Sequence, residues 1–109
     1  MATDFSMYSG DSKTLAITIT DKSGSAVDLT GATVKYAIAG SATATTKLVS
    51  KQTGGAGITT ALNVATVTID PADTEAIAGI FYQEIETTDI NGYVSTSMVG
   101  TITIAAEVN

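Results

Sequence analysis

The sequence predicts an all-β fold, an antiparallel β-sandwich of about seven strands with one short helix. Apolar and polar residues alternate along most of the chain, as side chains do between the two faces of a strand. Thr, Val and Ile fill most of these runs, and their branched side chains suit a pleated surface. Gly, Asn, Asp and Ser interrupt the runs at short intervals and mark the turns.

The first two strands are predicted at residues 14–20 and 32–39, where the alternation is most regular. Their predicted inward residues are Leu15, Ile17, Ile19, Val34, Tyr36 and Ile38. A shorter strand follows at 47–52 and contains two lysines. Because charge on an edge strand discourages unwanted pairing, this third strand is predicted to lie at a sheet edge.

The glycine-rich segment at residues 53–57 is predicted to be a hairpin loop. A phosphate-binding P-loop ends in Gly-Lys-Ser/Thr and leads into a helix, whereas this segment leads into Ile58-Thr59-Thr60. The next strand is predicted at 64–69, where Ala65, Val67 and Ile69 share one face.

One segment breaks the alternation and predicts a short helix near residues 71–78. Asp70 can cap its first turn, Pro71 suits the first helical position, and Gly79 is placed to end it in the left-handed conformation. The three acidic residues at 70, 73 and 75 could also indicate a calcium site, but a capped helix start explains them better. No metal ligand is therefore predicted.

The last two strands are predicted at 80–88 and from Tyr93 to about Val108, joined by a hairpin turn at Asp89-Ile90-Asn91-Gly92 whose Asn-Gly pair tolerates positive φ values. In the first of them, Phe81 and Ile85 are expected to face inward. The expected inward residues of the second are Val94, Met98, Ile102, Ile104 and Val108. Gly100 is predicted to mark a bulge or bend. Short strands with regular turns favour an immunoglobulin-like sandwich, and a small barrel is the alternative.

The composition removes most catalytic chemistry. The 109 residues contain no His, Cys, Arg or Trp, which excludes a Ser-His-Asp triad, a thiolate nucleophile and the usual structural zinc sites. Glu84 and Glu86 are a close carboxylate pair, but both are expected on one outward face rather than across a cleft. The protein is therefore predicted not to be an enzyme, with no catalytic residues and no cofactor.

The charge and hydropathy limit the partners. The formal net charge is −6, so neither nucleic acid nor an anionic membrane surface is an expected partner. No apolar run approaches the roughly 20 residues that a spanning helix needs. The first residues lack the basic and apolar regions of a secretory signal, which predicts that the protein folds where it is made.

Residues 1–12 form a leader before the first clear strand, and they are unusually apolar for a terminus. The leader either packs on its own sandwich or is an arm that docks on a neighbouring subunit. The sandwich domain itself is placed at 13–109. The candidate partner-contact residues are Phe5, Met7, Tyr8, Tyr82 and Tyr93.

A set of residues spread over nearly the whole chain carries a resemblance to a phage family. They are Phe5, Gly10-Asp11, Thr18-Ile19-Thr20-Asp21, Gly24, Val27-Asp28-Leu29-Thr30-Gly31-Ala32-Thr33-Val34, Asp73-Thr74, Gly79, Glu84-Ile85, Asp89, Gly92 and Gly100. The chain resembles the Ig-like N-terminal domain of phage baseplate upper proteins and related small virion structural proteins of tailed phages. The run at 27–34 is the most distinctive part of the resemblance.

The resemblance implies a non-enzymatic structural subunit that assembles in the host cytoplasm and resides in the virion. Its implied partners are other virion proteins (tail, baseplate or major capsid protein), together with further copies of itself in the particle. The chain ends at Asn109 without a fibre region, so an accessory subunit mounted on the tail, the baseplate or the capsid is expected. A capsid decoration (cement) protein is one alternative. A carbohydrate-binding or adhesive Ig-like module is another, with Tyr8, Tyr82 and Tyr93 as its aromatic candidates.

Overall fold

The computed structural model describes residues 4–20, 23–41, 43, 46–55, 57–75 and 77–106, apart from the Ser97 side chain. Over these residues the chain forms eight strands and one helix. In chain order they are β1 Phe5–Tyr8, β2 Lys13–Thr18, β3 Thr33–Ala39, β4 Lys47–Gln52, β5 Ile58–Ala61, β6 Val64–Ile69, α1 Pro71–Thr74, β7 Gly79–Thr88 and β8 Val94–Ala105.

The strands form two sheets packed face to face. One sheet has five strands in the order β1-β8-β7-β3-β4, and the other has three in the order β2-β6-β5. Within the described residues, β1 and β8 are parallel and the remaining strand pairs are antiparallel. The fold is therefore the predicted all-β sandwich of immunoglobulin type rather than a closed barrel. β4 lies at a sheet edge, as its lysines predicted.

The core between the sheets is built by the predicted alternation. The inward residues predicted on β2, β3 and β6 are all buried, and Phe81 and Ile85 of β7 lie on the core side. The buried cluster is Met7, Leu15, Ile17, Ile19, Leu29, Val34, Tyr36, Ile38, Val49, Ile58, Ala65, Val67, Ile69, Ile85, Met98, Ile102 and Ile104. Both sheets contribute side chains to this core. Each sheet therefore needs the other to cover its apolar inner face.

A polar pair lies inside this aliphatic core. The Tyr36 hydroxyl donates to Oε1 of Gln83 at 2.7 Å, and Gln83 Nε2 donates to the carbonyl oxygen of Thr101 at 3.2 Å. Both side chains are fully buried, and burial raises the pKa of Tyr36 well above its usual value. The pair links β3 to β7 and β7 to β8 through the core.

The helix is a single turn, so the prediction of a helix reaching residue 78 is wrong at its C-terminal end. The Asp73 carboxylate accepts the Asp70 N–H at 2.7 Å, which confirms a capped start. Thr74 is buried and its Oγ1 accepts the Gly10 N–H at 3.0 Å. This contact holds the last helical residue in place, and the chain then turns so that Ile77 packs on the core. Gly79 has a φ of +133° and begins β7 rather than capping the helix.

The last strand contains a bulge, but the prediction that Gly100 marks it is wrong. Gly100 pairs regularly with Gln83, whereas Ile85 faces Met98 and Glu86 faces Thr96, so Ser97 is the extra residue. One additional residue reverses the alternation for everything beyond it. Val94 is accordingly 61% exposed although it was predicted to face inward. The strand ends at Ala105, and Val108 lies outside the described residues.

Part of the leader belongs to the sandwich. Residues Phe5–Tyr8 form β1, which pairs in parallel with β8 at one edge of the five-stranded sheet. Met7 is buried in the core, and the Asp4 carboxylate accepts the Thr101 N–H at 2.8 Å. This stretch of the leader therefore packs on its own chain. A docking role for the leader stays a prediction.

Candidate interaction surfaces

Two of the predicted contact residues face the core. Phe5 and Met7 share the inner side of β1, where Met7 is buried and Phe5 packs partly against the core cluster. The Lys13 ammonium lies 5.6 Å from the centre of the Phe5 ring, close enough for a cation–π contact. Both side chains are therefore engaged within the domain.

Tyr8 points the other way and is 58% exposed. It lies on the outer face of the five-stranded sheet, beside an open groove of about 470 Å³. The groove is lined by Ser6, Met7, Tyr8, Asp11, Ser12, Lys13, Thr103 and Ala105. It follows the side of the sandwich where β1 of one sheet passes into β2 of the other.

Tyr82 lies on the same outer face but is held within its own strand. Its hydroxyl donates to Glu84 Oε2 at 3.1 Å. Partial burial raises the pKa of Tyr82, and the hydrogen bond and negative charge of Glu84 raise it further. Tyr8 pairs with Ala105 and Tyr82 with Thr101, which separates the two Cα atoms by about 16 Å. The two tyrosines do not form one aromatic platform.

Tyr93 lies at the opposite end of the sheet, at the hairpin between β7 and β8. The Asp89 carboxylate shapes this turn by accepting the N–H groups of Asn91 and Tyr93, each at 2.9 Å. Gly92 has a φ of +89°, which confirms the predicted Asn-Gly turn. The hairpin tip exposes three large apolar side chains: Ile90, Tyr93 and Val94.

Sequence reasoning singled out neither Ile90 nor Ile80 as a contact residue and placed Val94 on the inner face, yet all three side chains are exposed. Ile80 is 71% exposed and pairs with Thr103, the neighbour of Ser6 on β1. Its outward position follows from alternation with Tyr82, so a signal for it exists in the sequence. Val94 gives no such signal, because its position depends on the bulge at Ser97.

The acidic residues around α1 bind a lysine of the chain itself. Lys51 Nζ of β4 lies 2.8 Å from Asp73 Oδ2 and 3.4 Å from Asp70 Oδ2. Burial acts to lower the pKa of Lys51, but the hydrogen bonds and charges of Asp73 and Asp70 outweigh it, so the pKa is raised. In the described part of the chain, no three His, Cys, Asp or Glu side chains are grouped to hold a metal ion.

Glu84 and Glu86 lie among basic residues on the outer face of the five-stranded sheet. Lys35 of β3 is directly opposite Glu86, and Lys47 borders the same shallow depression of about 50 Å³. Opposite charges at facing positions stabilise a strand pair modestly. This arrangement explains both carboxylates as parts of a charged sheet face.

The distinctive run at 27–34 serves the fold. Asp28 Oδ1 accepts the Thr30 hydroxyl at 2.7 Å and the Thr30 N–H at 2.9 Å. The hydroxyl and then the backbone hydrogen bond lower the pKa of Asp28. Leu29 is buried, and Gly31 turns the chain into β3 with a φ of +75°. These residues therefore form a turn that anchors the start of β3.

The three-stranded sheet presents a different kind of surface. The pairings place eight residues outward, opposite the buried side chains of β2 and β6. They are Thr14, Ala16, Thr18, Thr59, Ala61, Val64, Thr66 and Thr68. No charged residue is among them, in a protein whose formal net charge is −6. Over the described ranges, the chain has no helix long and apolar enough to cross a membrane.

No protein-family model matches the chain, and no curated protein is similar to it in sequence. The fold places it among immunoglobulin-like sandwiches, an architecture that hosts many unrelated functions. Its function is accordingly argued from the surfaces described above.

Proposed function

We propose that the protein is a non-enzymatic structural subunit of a phage virion that acts through protein–protein contacts. The observation that carries the proposal is the apolar tip of the β7–β8 hairpin, where Ile90, Tyr93 and Val94 are all exposed. Neighbouring exposed apolar side chains are unfavourable in a free monomer and favourable when a partner covers them.

The rest of the surface supports the same proposal. Tyr8 and Ile80 are exposed at the other end of the five-stranded sheet, and the outer face of the three-stranded sheet is uncharged at its described positions. A domain with few charges on large parts of its surface is poorly protected against association. Such surfaces suit a subunit that is surrounded by neighbours in a particle.

The phage setting rests on the sequence resemblance to baseplate and other virion proteins. A position on the tail or baseplate, with tail, baseplate or capsid proteins and further copies as partners, is part of this proposal. A capsid decoration protein is the alternative location. The carbohydrate-binding alternative gains no support, since Tyr8, Tyr82 and Tyr93 do not share one platform.

Mass spectrometry of purified particles tests the proposal directly. We expect the protein to remain with the particles through density-gradient purification at a fixed ratio to the major capsid protein. The ratio follows the symmetry of the site, so it is high for the capsid and low for the tail. Absence of the protein from particles that still infect the host would contradict the proposal.

The contact surface is tested by variants in the same particles. Tyr93→Asp together with Ile90→Asp places two charges at the hairpin tip and should reduce incorporation at least about tenfold, because burying an unpaired charge is strongly unfavourable. Leu62→Asp is the matched control, since Leu62 is equally exposed at the tip of the β5–β6 hairpin. If the tip variant and the control are incorporated equally, the hairpin tip is not the contact surface.

A further inference from the structure

Among the described residues, the outer edge of β2 has backbone groups with no strand partner. Over the described residues β2 pairs only with β6. The Ile19 N–H donates to the Asn63 carbonyl at 2.8 Å and continues that register, so the odd-numbered residues of β2 point their backbone groups at β6. The N–H and C=O groups of Thr14, Ala16 and Thr18 therefore point away from the sheet.

A second hydrogen bond agrees with this assignment. On β6 the Thr68 N–H donates to the Gly57 carbonyl at 2.8 Å, on the β5 side. The even-numbered residues of β6 therefore form their backbone hydrogen bonds with β5, and the odd-numbered ones form theirs with β2. This alternation is the one that an antiparallel ladder requires.

The other three edges are better protected. β4 has Lys47 and Lys51 near its two ends and an irregularity in its pairing with β3, which are common defences of edge strands. β1 and β5 have only four residues each. In addition, Gly57, the residue immediately before β5, is bridged to Gln52. β2 has six residues, with a single charge at its first position.

The sequence of β2 is complementary to itself. In an antiparallel pair centred on Ala16, Thr14 of one copy lies opposite Thr18 of the other, and Ala16 lies opposite Ala16. The backbone N–H and C=O groups at these positions point away from β6 and would form about six hydrogen bonds with the second copy. Cross-strand Thr–Thr pairs are favourable. On the inner side, Leu15 would face the partner's Ile17 and extend the apolar core.

We infer that β2 pairs with β2 of a second copy of this chain and joins two three-stranded sheets into one six-stranded sheet. A second copy fits better than an unrelated strand because both the hydrogen-bonding groups and the side chains match in the two-fold register. No like charges meet in this register, since Lys13 lies beyond its ends. A second copy of the chain is one of the partners in the proposed function. The strand pairing itself does not require a virion.

The expected dimer is weak. Interfaces below about 1,200 Å² are transient, and an edge contact of six residues per copy belongs in that class. We expect sedimentation equilibrium of the purified full chain to show monomers of 11.0 kDa at low concentration. Twice that mass should appear as the concentration approaches about 1 mM. A chain that remains monomeric at that concentration would overturn the inference.

Two substitutions at Ala16 should abolish the dimer. Ala16→Pro removes the outward N–H but no hydrogen bond to β6, and edge strands tolerate proline at such a position. Ala16→Lys keeps the backbone groups but sets two positive charges directly opposite each other. Each should raise the dissociation constant at least about tenfold, with a thermal melt to confirm that each variant folds. A dimer that survives both changes would place the contact elsewhere.

Two matched controls should keep the dimer. Ala16→Val retains the outward N–H and adds a side chain suited to strands. Thr66→Lys adds the same charge as Ala16→Lys, but on the central strand, directly across from Ala16 and on the same face. If Thr66→Lys dissociates the dimer while Ala16→Lys does not, the copies stack through their sheet faces and the edge pairing is wrong.

Amide hydrogen exchange distinguishes the dimer from the monomer, because protection within the monomer does not depend on protein concentration. The amides of Thr14, Ala16 and Thr18 should exchange about twofold more slowly near 1 mM protein, where about half of the chains would be paired, than at low protein concentration. Exchange rates at these three positions that do not change with concentration would also overturn the inference. Detection of the protein in particles is independent of all these results, so the dimer and the virion role can fail separately.

Discussion

Tyr36 and Gln83 give the core a specific geometry at the scale of single residues. Aliphatic side chains pack by size and shape, whereas a buried hydroxyl and a buried amide have to meet their partners at defined distances. The Tyr36 hydroxyl reaches Gln83 Oε1 at 2.7 Å, and Gln83 Nε2 reaches the Thr101 carbonyl. The pair therefore fixes how β3, β7 and β8 align in the five-stranded sheet.

Replacing Tyr36 by Phe tests the energetic role of this pair. Tyr36→Phe keeps the ring and deletes the donor to a buried amide oxygen, so the free energy of unfolding should fall by about 1–3 kcal/mol. Urea denaturation measures the loss. Tyr93→Phe is the control, because the Tyr93 side chain is 75% exposed and its change should stay within about 0.5 kcal/mol. Equal losses in the two variants would contradict a structural role for the buried pair.

The same residue predicts how stability depends on alkaline pH. Burial raises the pKa of Tyr36 above its unfolded value of about 10, so the stabilising effect is full below that pH and is lost as pH rises. The slope should approach about 1.4 kcal/mol per pH unit above pH 10. Lys51, whose pKa is also raised, acts in the same direction.

Urea midpoints at pH 9 and pH 11 measure this effect. Because Lys51 contributes as well, Tyr36→Phe should reduce the difference between the two midpoints without removing it. An unchanged difference in the variant would show that ionisation of Tyr36 does not drive the alkaline loss.

At the scale of elements, β1 and β8 show how one residue decides which side chains a strand exposes. The bulge at Ser97 sends Val94 outward and thereby completes the apolar hairpin tip with Ile90 and Tyr93. On β1, strict alternation buries Met7 and exposes Tyr8. The two neighbours thus serve different purposes, since Met7 contributes to the fold and Tyr8 is available to a partner.

A pair of alanine substitutions on β1 separates these purposes. Met7→Ala removes a buried side chain and should cost about 2–4 kcal/mol of unfolding free energy. Tyr8→Ala should change stability by no more than about 0.5 kcal/mol. Thermal and urea unfolding of both variants provide the measurement. If Tyr8→Ala lowers the unfolding free energy more than Met7→Ala does, Tyr8 rather than Met7 lies on the core side of β1.

At the scale of the whole molecule, Lys51 connects the two sheets at the side where β4 and β5 lie. It leaves β4 of the five-stranded sheet and reaches Asp70 and Asp73, which follow β6 of the three-stranded sheet. Its stem lies over Gly57, where a Cβ atom would come within 2.6 Å of Lys51 Cδ. The side chain therefore closes the sandwich through both packing and charge.

Removing the charge of Lys51 tests this closure. Lys51→Met keeps most of the apolar stem and should lower the unfolding free energy by about 1 kcal/mol, since the partners Asp70 and Asp73 keep partial access to water. Added salt screens the ion pair, so it should reduce the difference in unfolding free energy between the variant and the wild type. Lys47→Met, an exposed lysine of the same strand, is the matched control. If the difference in unfolding free energy does not change with salt, the lost stability comes from packing alone.

The local pattern of the sequence predicted most of the sandwich. Alternation identified the buried faces of β2, β3 and β6, and a turn signal located the β7–β8 hairpin, because both depend on neighbouring residues alone. The helix start was predictable from Asp70 and Pro71 for the same reason. Its end at Thr74 was not, and the last helical residue is held by a long-range contact, since Thr74 accepts a hydrogen bond from Gly10, 64 residues away in the chain.

What the sequence by itself determined is the fold class and a composition without His, Cys, Arg or Trp. The tertiary structure decided which surfaces are open. Pairing between distant strands produces the bulge at Ser97, the parallel pairing of β1 with β8 and, within the described part of the chain, the edge position of β2. A one-residue change in such pairing moves side chains from one face to the other. The local pattern does not encode that choice.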